Sequence, residues 1–357
     1  MQINTDSKIP DFFLQNEKFL FWIAGIFSLL FLCAGIFLER NWLCILPFSF
    51  FIIGIAVLNF RYLFYLLMLV LPISVEAEFG SIGTDLPSEP LLILLALCTL
   101  FFVARNFHLL YPKQLKHPIT LMLIALFLWS CVSTIYSTDV IVSVKYLLAK
   151  SWYLLGFFVL PIILLKSKKS IQTFFWCLFV PTFLSVIYIL IRHSFSLFTF
   201  ESINPAVHPI YRNHVTYAVF ITMVFPFIFL AKTWYPKSSR RYALLNFSIP
   251  IFLLAIYFSY TRGAWIAVVL MLAFYFVLEW KLTKIILLVS AIAVLIFSVY
   301  ILKDNNYLKY APNYEHTIYH EDLSEHLTST FEMEDMSTVE RFYRWIAAVH
   351  LFKEHPM

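Results

Sequence analysis

Charge is scarce in this chain: only 13% of its 357 residues are Asp, Glu, Lys or Arg, against roughly 25% in a soluble domain. Glycine is scarcer still. There are seven, and no two stand as Gly-x3-Gly, which excludes helix packing through that close backbone approach and leaves it to large side chains. No Walker loop, Gly-x-Gly-x-x-Gly run or His-Glu-x-x-His motif occurs, so the signatures of nucleotide binding and zincin chemistry are missing. The five cysteines (Cys33, Cys44, Cys98, Cys131, Cys177) all fall inside apolar runs. They read as small packing residues and do not point to disulfides. Neither an internal repeat nor an inverted pair of broken helices is visible, which weighs against a transporter.

What fills the chain instead is apolar: 61% of residues are hydrophobic and 39 are Phe. A soluble fold could not bury that surface, so lipid must be the solvent. The fold expected is an all-α polytopic membrane protein of about 11 transmembrane helices, at about 20 residues per span. Spans are expected near 19–37, 42–60, 62–75, 90–104, 118–136, 142–165, 171–191, 214–231, 244–260, 264–279 and 285–302. The third and fourth are short enough to be tilted partners around a re-entrant turn at Pro72. Three regions follow: a cytoplasmic N-terminal segment 1–18, a transmembrane domain 19–302, and the start of a large, partly helical extracytoplasmic loop at 303–357. The first span is too long for a signal peptide and is followed by no small-residue cleavage site.

Orientation follows from Lys and Arg, which favour the cytoplasmic side. With the N-terminus inside, the inner loops hold Arg61; Arg105, Lys113 and Lys116; Lys166, Lys168 and Lys169; Lys232, Lys237, Arg240 and Arg241; then Lys281 and Lys284. The outer loops hold only Arg40, Arg192, Arg212 and Arg262, and the acidic stretch 76–89 has no base. The tail 303–357 carries ten acids against five bases. The net charge of +5 is therefore polarised: its basic part faces the anionic inner leaflet and does not signal nucleic acid.

Chemistry is to be sought among the polar groups of the outer face. His316 and His320, with His326, Glu321 and Asp322 nearby, have a spacing that could hold a metal on a helix, but a solvated acidic loop is the plainer reading and no metal is expected. The arginines are more informative. Arg262 sits in Ser259-Tyr260-Thr261-Arg262-Gly263-Ala264-Trp265, a hinge between two spans. Arg212 sits in His208-Pro209-Ile210-Tyr211-Arg212-Asn213-His214, ahead of the eighth. Arg341 and Arg344 stand in the tail. A guanidinium fork matches phosphate oxygens in two-point contact and keeps its charge. Taken singly each arginine is an interfacial anchor; three regions bringing arginines to one face point to an anion site. Lys150 lies roughly 12 Å into the sixth span at 1.5 Å per residue, and an intramembrane cation is a functional candidate by default. Lys145, on the same span, can snorkel to the interface.

These segments resemble the O-antigen ligase and O-antigen polymerase superfamily of bacterial envelope enzymes. Thr261-Arg262-Gly263-Ala264 looks like that family's Ser-Arg-Gly-Ala turn. Arg212-Asn213-x3-Tyr217-Ala218 is similar to the start of its central helix. Ser337-x3-Arg341-x3-Trp345-x2-Ala348, ending in His355-Pro356, looks like the beginning of its large periplasmic loop, and Leu71-Pro72-Ile73-Ser74 before an acidic loop also fits. The resemblance implies a multi-pass protein of the bacterial inner membrane that needs no cofactor. It would transfer a glycan from an undecaprenyl-diphosphate carrier to a hydroxyl of lipid A core, of another glycan or of a protein. Arg262 and Arg341, with Arg212 third and Lys150 further off, would bind the diphosphate. The family's loop continues past this Pro to a catalytic histidine, whereas this chain stops at Met357. The general base is therefore expected beyond Met357, and this chain alone is expected to be inactive. Two other classes stay open. A lipid-linked oligosaccharide flippase should line a cavity through the whole bilayer, which the nearly charge-free inner halves of the spans oppose. A non-catalytic envelope-assembly scaffold would leave the arginines scattered.

Overall fold

A computed structural model describes residues 59–79, 82–105, 116–303 and 336–354, with isolated positions before them. The chain forms two compact units, residues 1–178 and 179–357. In the first, helix α1 (Asn59–Ile73) tightens into a 3-10 turn at Leu71–Ile73, where Pro72 is buried. The chain then leaves it as an antiparallel hairpin, β1 (Val75–Phe79) and β2 (Ile82–Leu86), in the register Val75↔Leu86 and Glu76↔Asp85. The expected re-entrant turn at Pro72 is thus replaced by a hairpin. Its alternating Val75-Glu76-Ala77-Glu78-Phe79 suits a half-exposed ribbon. Thr84 donates to Glu89 Oε2 at 2.7 Å, which ties β2 to the first turn of α2 (Ser88–Arg105).

α2 is a full 18-residue helix, longer than the short span expected at 90–104. α3 (Pro118–Ile135) starts on Pro118, with the His117 ring accepting from the Ile119 N–H. α4 (Val140–Leu164) is capped by Asp139, which accepts from the Val142 N–H at 3.1 Å, and carries a π turn at Leu155–Val159. The unit's core joins Leu63, Phe64 and Leu67 of α1 to Leu91, Leu92 and Leu95 of α2 and Leu160 of α4. A Cβ at Gly156 would come within 2.4 Å of Leu92 Cδ1, so here one glycine does serve close approach.

α5 (Lys168–Ser194) carries the boundary between the units. The second unit continues with α6 (Ile203–Val207), α7 (His214–Lys232), α8 (Arg240–Tyr257), α9 (Arg262–Glu279) and α10 (Thr283–Leu302). Its core is a stack of rings: Phe252 lies against Phe179 at 6.1 Å, Phe183 at 6.4 Å and Phe225 at 6.4 Å. Packing by aromatics is what a glycine-poor chain requires. α11 (Met336–Glu354) is amphipathic and exposes Trp345, Leu351 and Phe352.

Seven helices among the described residues are long and apolar enough to cross a bilayer: α2, α3, α4, α5, α7, α9 and α10. The chain is an all-α membrane protein. Seven is fewer than the eleven spans expected, for three reasons. The expected spans 19–37 and 42–60, with Cys33 and Cys44, lie outside the described residues except at isolated positions. α1 is short. α8, expected as a span near 244–260, carries Arg240, Arg241, Asn246 and Ser248, and these polar groups keep it out of the seven.

Candidate functional site

The second unit gathers its polar chemistry at one end. α5 finishes there, α7 and α9 begin there, and α8 returns to it. Arg192, in the last turn of α5, donates from Nη2 to the Pro205 carbonyl at 3.0 Å and from Nη1 to the His208 carbonyl. Its guanidinium also sits 5.5 Å from the Tyr188 ring centre. One side chain thus staples the α6 segment to the helix end. Beside it His193 is buried, 1% exposed. Its Nε2 lies 2.9 Å from the Thr199 carbonyl, and Phe198, Phe258 and Tyr260 set their rings edge-on to the imidazole.

The hinge before Arg262 is held from the same side. Tyr260 donates its hydroxyl to the Phe198 carbonyl. Phe198 stacks on Phe258 at 4.2 Å. Leu197, Phe198 and Tyr260 all take positive φ, 53°, 56° and 53°. Side-chain-bearing residues rarely adopt that conformation, and it persists where contacts over-determine it. Thr261 is the N-cap residue of α9, and Trp265 fixes the first turn by donating Nε1 to the Ile256 carbonyl at 2.9 Å.

The segment carrying Arg212 reaches the same knot. Tyr211 is buried, with its hydroxyl 3.2 Å from Ser185 Oγ. Burial pushes its pKa up to about 12 against a smaller pull from Ser185, so the phenol is un-ionised at working pH. Asn213 caps α7, accepting from the Thr216 N–H at 2.8 Å. His214 donates its backbone N–H to Asn204 Oδ1 at 3.0 Å. Phe200 then bridges the two segments, 6.1 Å from the His214 ring and 5.4 Å from Tyr260.

Of the residues singled out in the sequence, Arg212 and Arg262 are therefore brought to one end of one unit, each beside the N-terminus of a long helix. Helix N-termini carry partial positive charge, so guanidinium groups and backbone dipoles there share a sign. Arg262 is half-buried and Gly263 is exposed, and a Cβ on Gly263 would meet nothing within 4 Å. The backbone beside the guanidinium is open. Arg341 is exposed on α11, between the paired residues Glu340 and Arg344. Lys150 belongs to the first unit and donates to Ser130 Oγ at 2.7 Å, a partner that no local sequence pattern indicates. His316, His320, His326 and His355 lie outside the described residues, and no cluster of metal-ligand type occurs among those described. Arg192, His193 and Tyr260 do not stand out in the sequence, because their roles come from contacts across long stretches of chain.

Residues 247–357 match the family model described as O-antigen ligase, which bears out the resemblance to the O-antigen ligase and polymerase superfamily. The matched stretch holds Arg262 and Arg341 but neither Arg212 nor Lys150. At the level of the family it supports glycosyl transfer at a membrane. No curated protein and no solved structure matches the chain.

Proposed function

We propose that this membrane protein, whose residues 247–357 match the O-antigen ligase model, moves a glycan from an undecaprenyl-diphosphate carrier to an acceptor hydroxyl at the outer face of the bacterial inner membrane. Arg262 and Arg212 bind the diphosphate at the end built around Tyr260, and Arg341 joins them from α11. The acceptor is a sugar of lipid A core, another carrier-linked glycan or a protein. In the transfer the acceptor oxygen bonds to the anomeric carbon while the bond from that carbon to the diphosphate breaks. The electron pair stays on the phosphate oxygen, and the hydroxyl proton passes to a base outside the residues named. Fixed guanidinium groups stabilise the charge as it grows on the leaving group, with no metal or cofactor needed. The polarised Lys and Arg content supports an inside N-terminus and eleven spans, which puts this end outside.

The observation that carries the reading is the ring bridge Tyr260–Phe200–His214, which holds the Arg262 hinge and the Arg212 segment at one end. The test is binding of a polyprenyl diphosphate to Arg262 and Arg212 variants that insert normally. Weakened binding in both supports the site. Full binding in Arg262→Ala reduces that residue to an interfacial anchor.

A further inference from the structure

The first unit holds a cavity that glycan transfer leaves unused. It measures about 250 Å³ and is lined by apolar side chains of α2, α3 and α4, with Thr120 at one end. On α3 the lining runs from Thr120 to Leu128, a depth of roughly 12 Å at 1.5 Å per residue. On α4 it is made by the π turn, which contributes Leu155, Phe158 and Val159. Such turns widen a helix locally and recur at functional sites. Gly156, in the same turn, is pressed against Leu92, so the back of the turn is fixed by the core while its other side faces the cavity.

The rim is basic. Val103, Thr120 and Ile162 of the lining each lie within about one helical turn of a cation: Arg105, Lys116 and Lys166 respectively, all exposed. The three helix ends therefore converge at the mouth of the cavity. The sequence places no Asp or Glu within 90–138 or 140–200, so these three helices and the stretches joining them bring no acid to this end. An apolar slot under three cations is complementary to an amphiphile with an apolar chain and an anionic head. A bilayer supplies such a molecule at high local concentration, and polybasic clusters at its surface attract anionic lipid.

We propose that this cavity seats one acyl chain of an anionic phospholipid, whose phosphate is met by Arg105, Lys116 and Lys166. The slot lies between three helices of the first unit, open to the lipid that the bilayer holds in bulk. The site rests on the bilayer reading alone, so it stands or falls independently of glycan transfer.

The full chain is purified into nanodiscs containing equal amounts of phosphatidylglycerol and phosphatidylcholine with the same acyl chains. Lipid retained after a delipidating wash is counted by native mass spectrometry. Phosphatidylglycerol should be retained at least about tenfold over phosphatidylcholine, a floor for three surface cations. The triple variant Arg105→Gln, Lys116→Gln, Lys166→Gln should bring the two lipids to parity, and Leu123→Trp, which fills the slot, should lower retention of both. The triple variant changes only exposed side chains, so it still decides the matter if Leu123→Trp fails to insert. Equal retention of both lipids by the unaltered chain would overturn the proposal, as would undiminished preference in the triple variant. Displacement of phosphatidylglycerol by an equimolar polyprenyl phosphate would overturn the choice of occupant.

Discussion

Arg262 and Gly263 are the residues on which the proposed site turns, and they can be tested separately. A lysine at 262 keeps the charge but loses the two-point fork. Arg262→Lys should weaken binding of a polyprenyl diphosphate about tenfold, the cost of about one charge-assisted hydrogen bond, measured by equilibrium titration. Gly263→Ala asks whether ligand approaches the backbone. Nothing stands where the new methyl would go, and alanine is the better helix former by about 1 kcal/mol. The variant should therefore keep or raise its thermal midpoint while binding falls several-fold. Unchanged binding would place the ligand away from this turn. Both residues were legible in the sequence, because a cation in a tight Arg-Gly hinge between two apolar runs is unusual. The contact that orients them was not. Tyr260 reaches the Phe198 carbonyl across a long stretch of chain, and both residues depend on left-handed backbone that no local pattern announced.

Two elements, the segment 194–213 and the hairpin, show where pattern reading ran out. The first holds its form through Arg192, whose guanidinium serves two carbonyls. The sequence presented Arg192 as one more interfacial charge, since nothing near it in the chain reveals which carbonyls it meets. Arg192→Gln should lower stability by about 1–3 kcal/mol through the loss of two hydrogen bonds, seen as an earlier thermal midpoint in detergent. Because the Arg212 segment then loosens, diphosphate binding should weaken as well. Tyr260→Phe removes a single hydrogen bond and should cost about 1 kcal/mol by the same measurement, with the aromatic bridge kept. The hairpin at 75–86 was within reach of the sequence: Val75 to Phe79 alternate apolar and polar with period two. Its acids, Glu76, Glu78, Asp85 and Glu89, mask that period with the character of an outer loop. The long apolar helices, by contrast, were found nearly to the residue, as at 118–136 against Pro118–Ile135, because lipid forces every backbone polar group into a helix or a closed sheet.

At the scale of the molecule, composition already required a bilayer, and seven of the described helices meet that requirement. Span counting by hydropathy is less secure where polar residues enter a helix, as Arg240, Arg241 and Asn246 do in α8. The topology proposed has its own test. A phosphatase active only outside the cytoplasm should be silent when fused after Lys169 and active when fused after Met357; silence at both positions would refute the eleven-span map. The central claim is that Arg212 and Arg262 form one anion site. A polyprenyl diphosphate is titrated into the purified chain in nanodiscs, beside an Arg212→Gln, Arg262→Gln variant with the same thermal midpoint. Removing both guanidinium groups, and with them two charge-assisted hydrogen bonds to the ligand, should weaken binding by about 100-fold or more. Equal affinity in the two proteins would contradict the site.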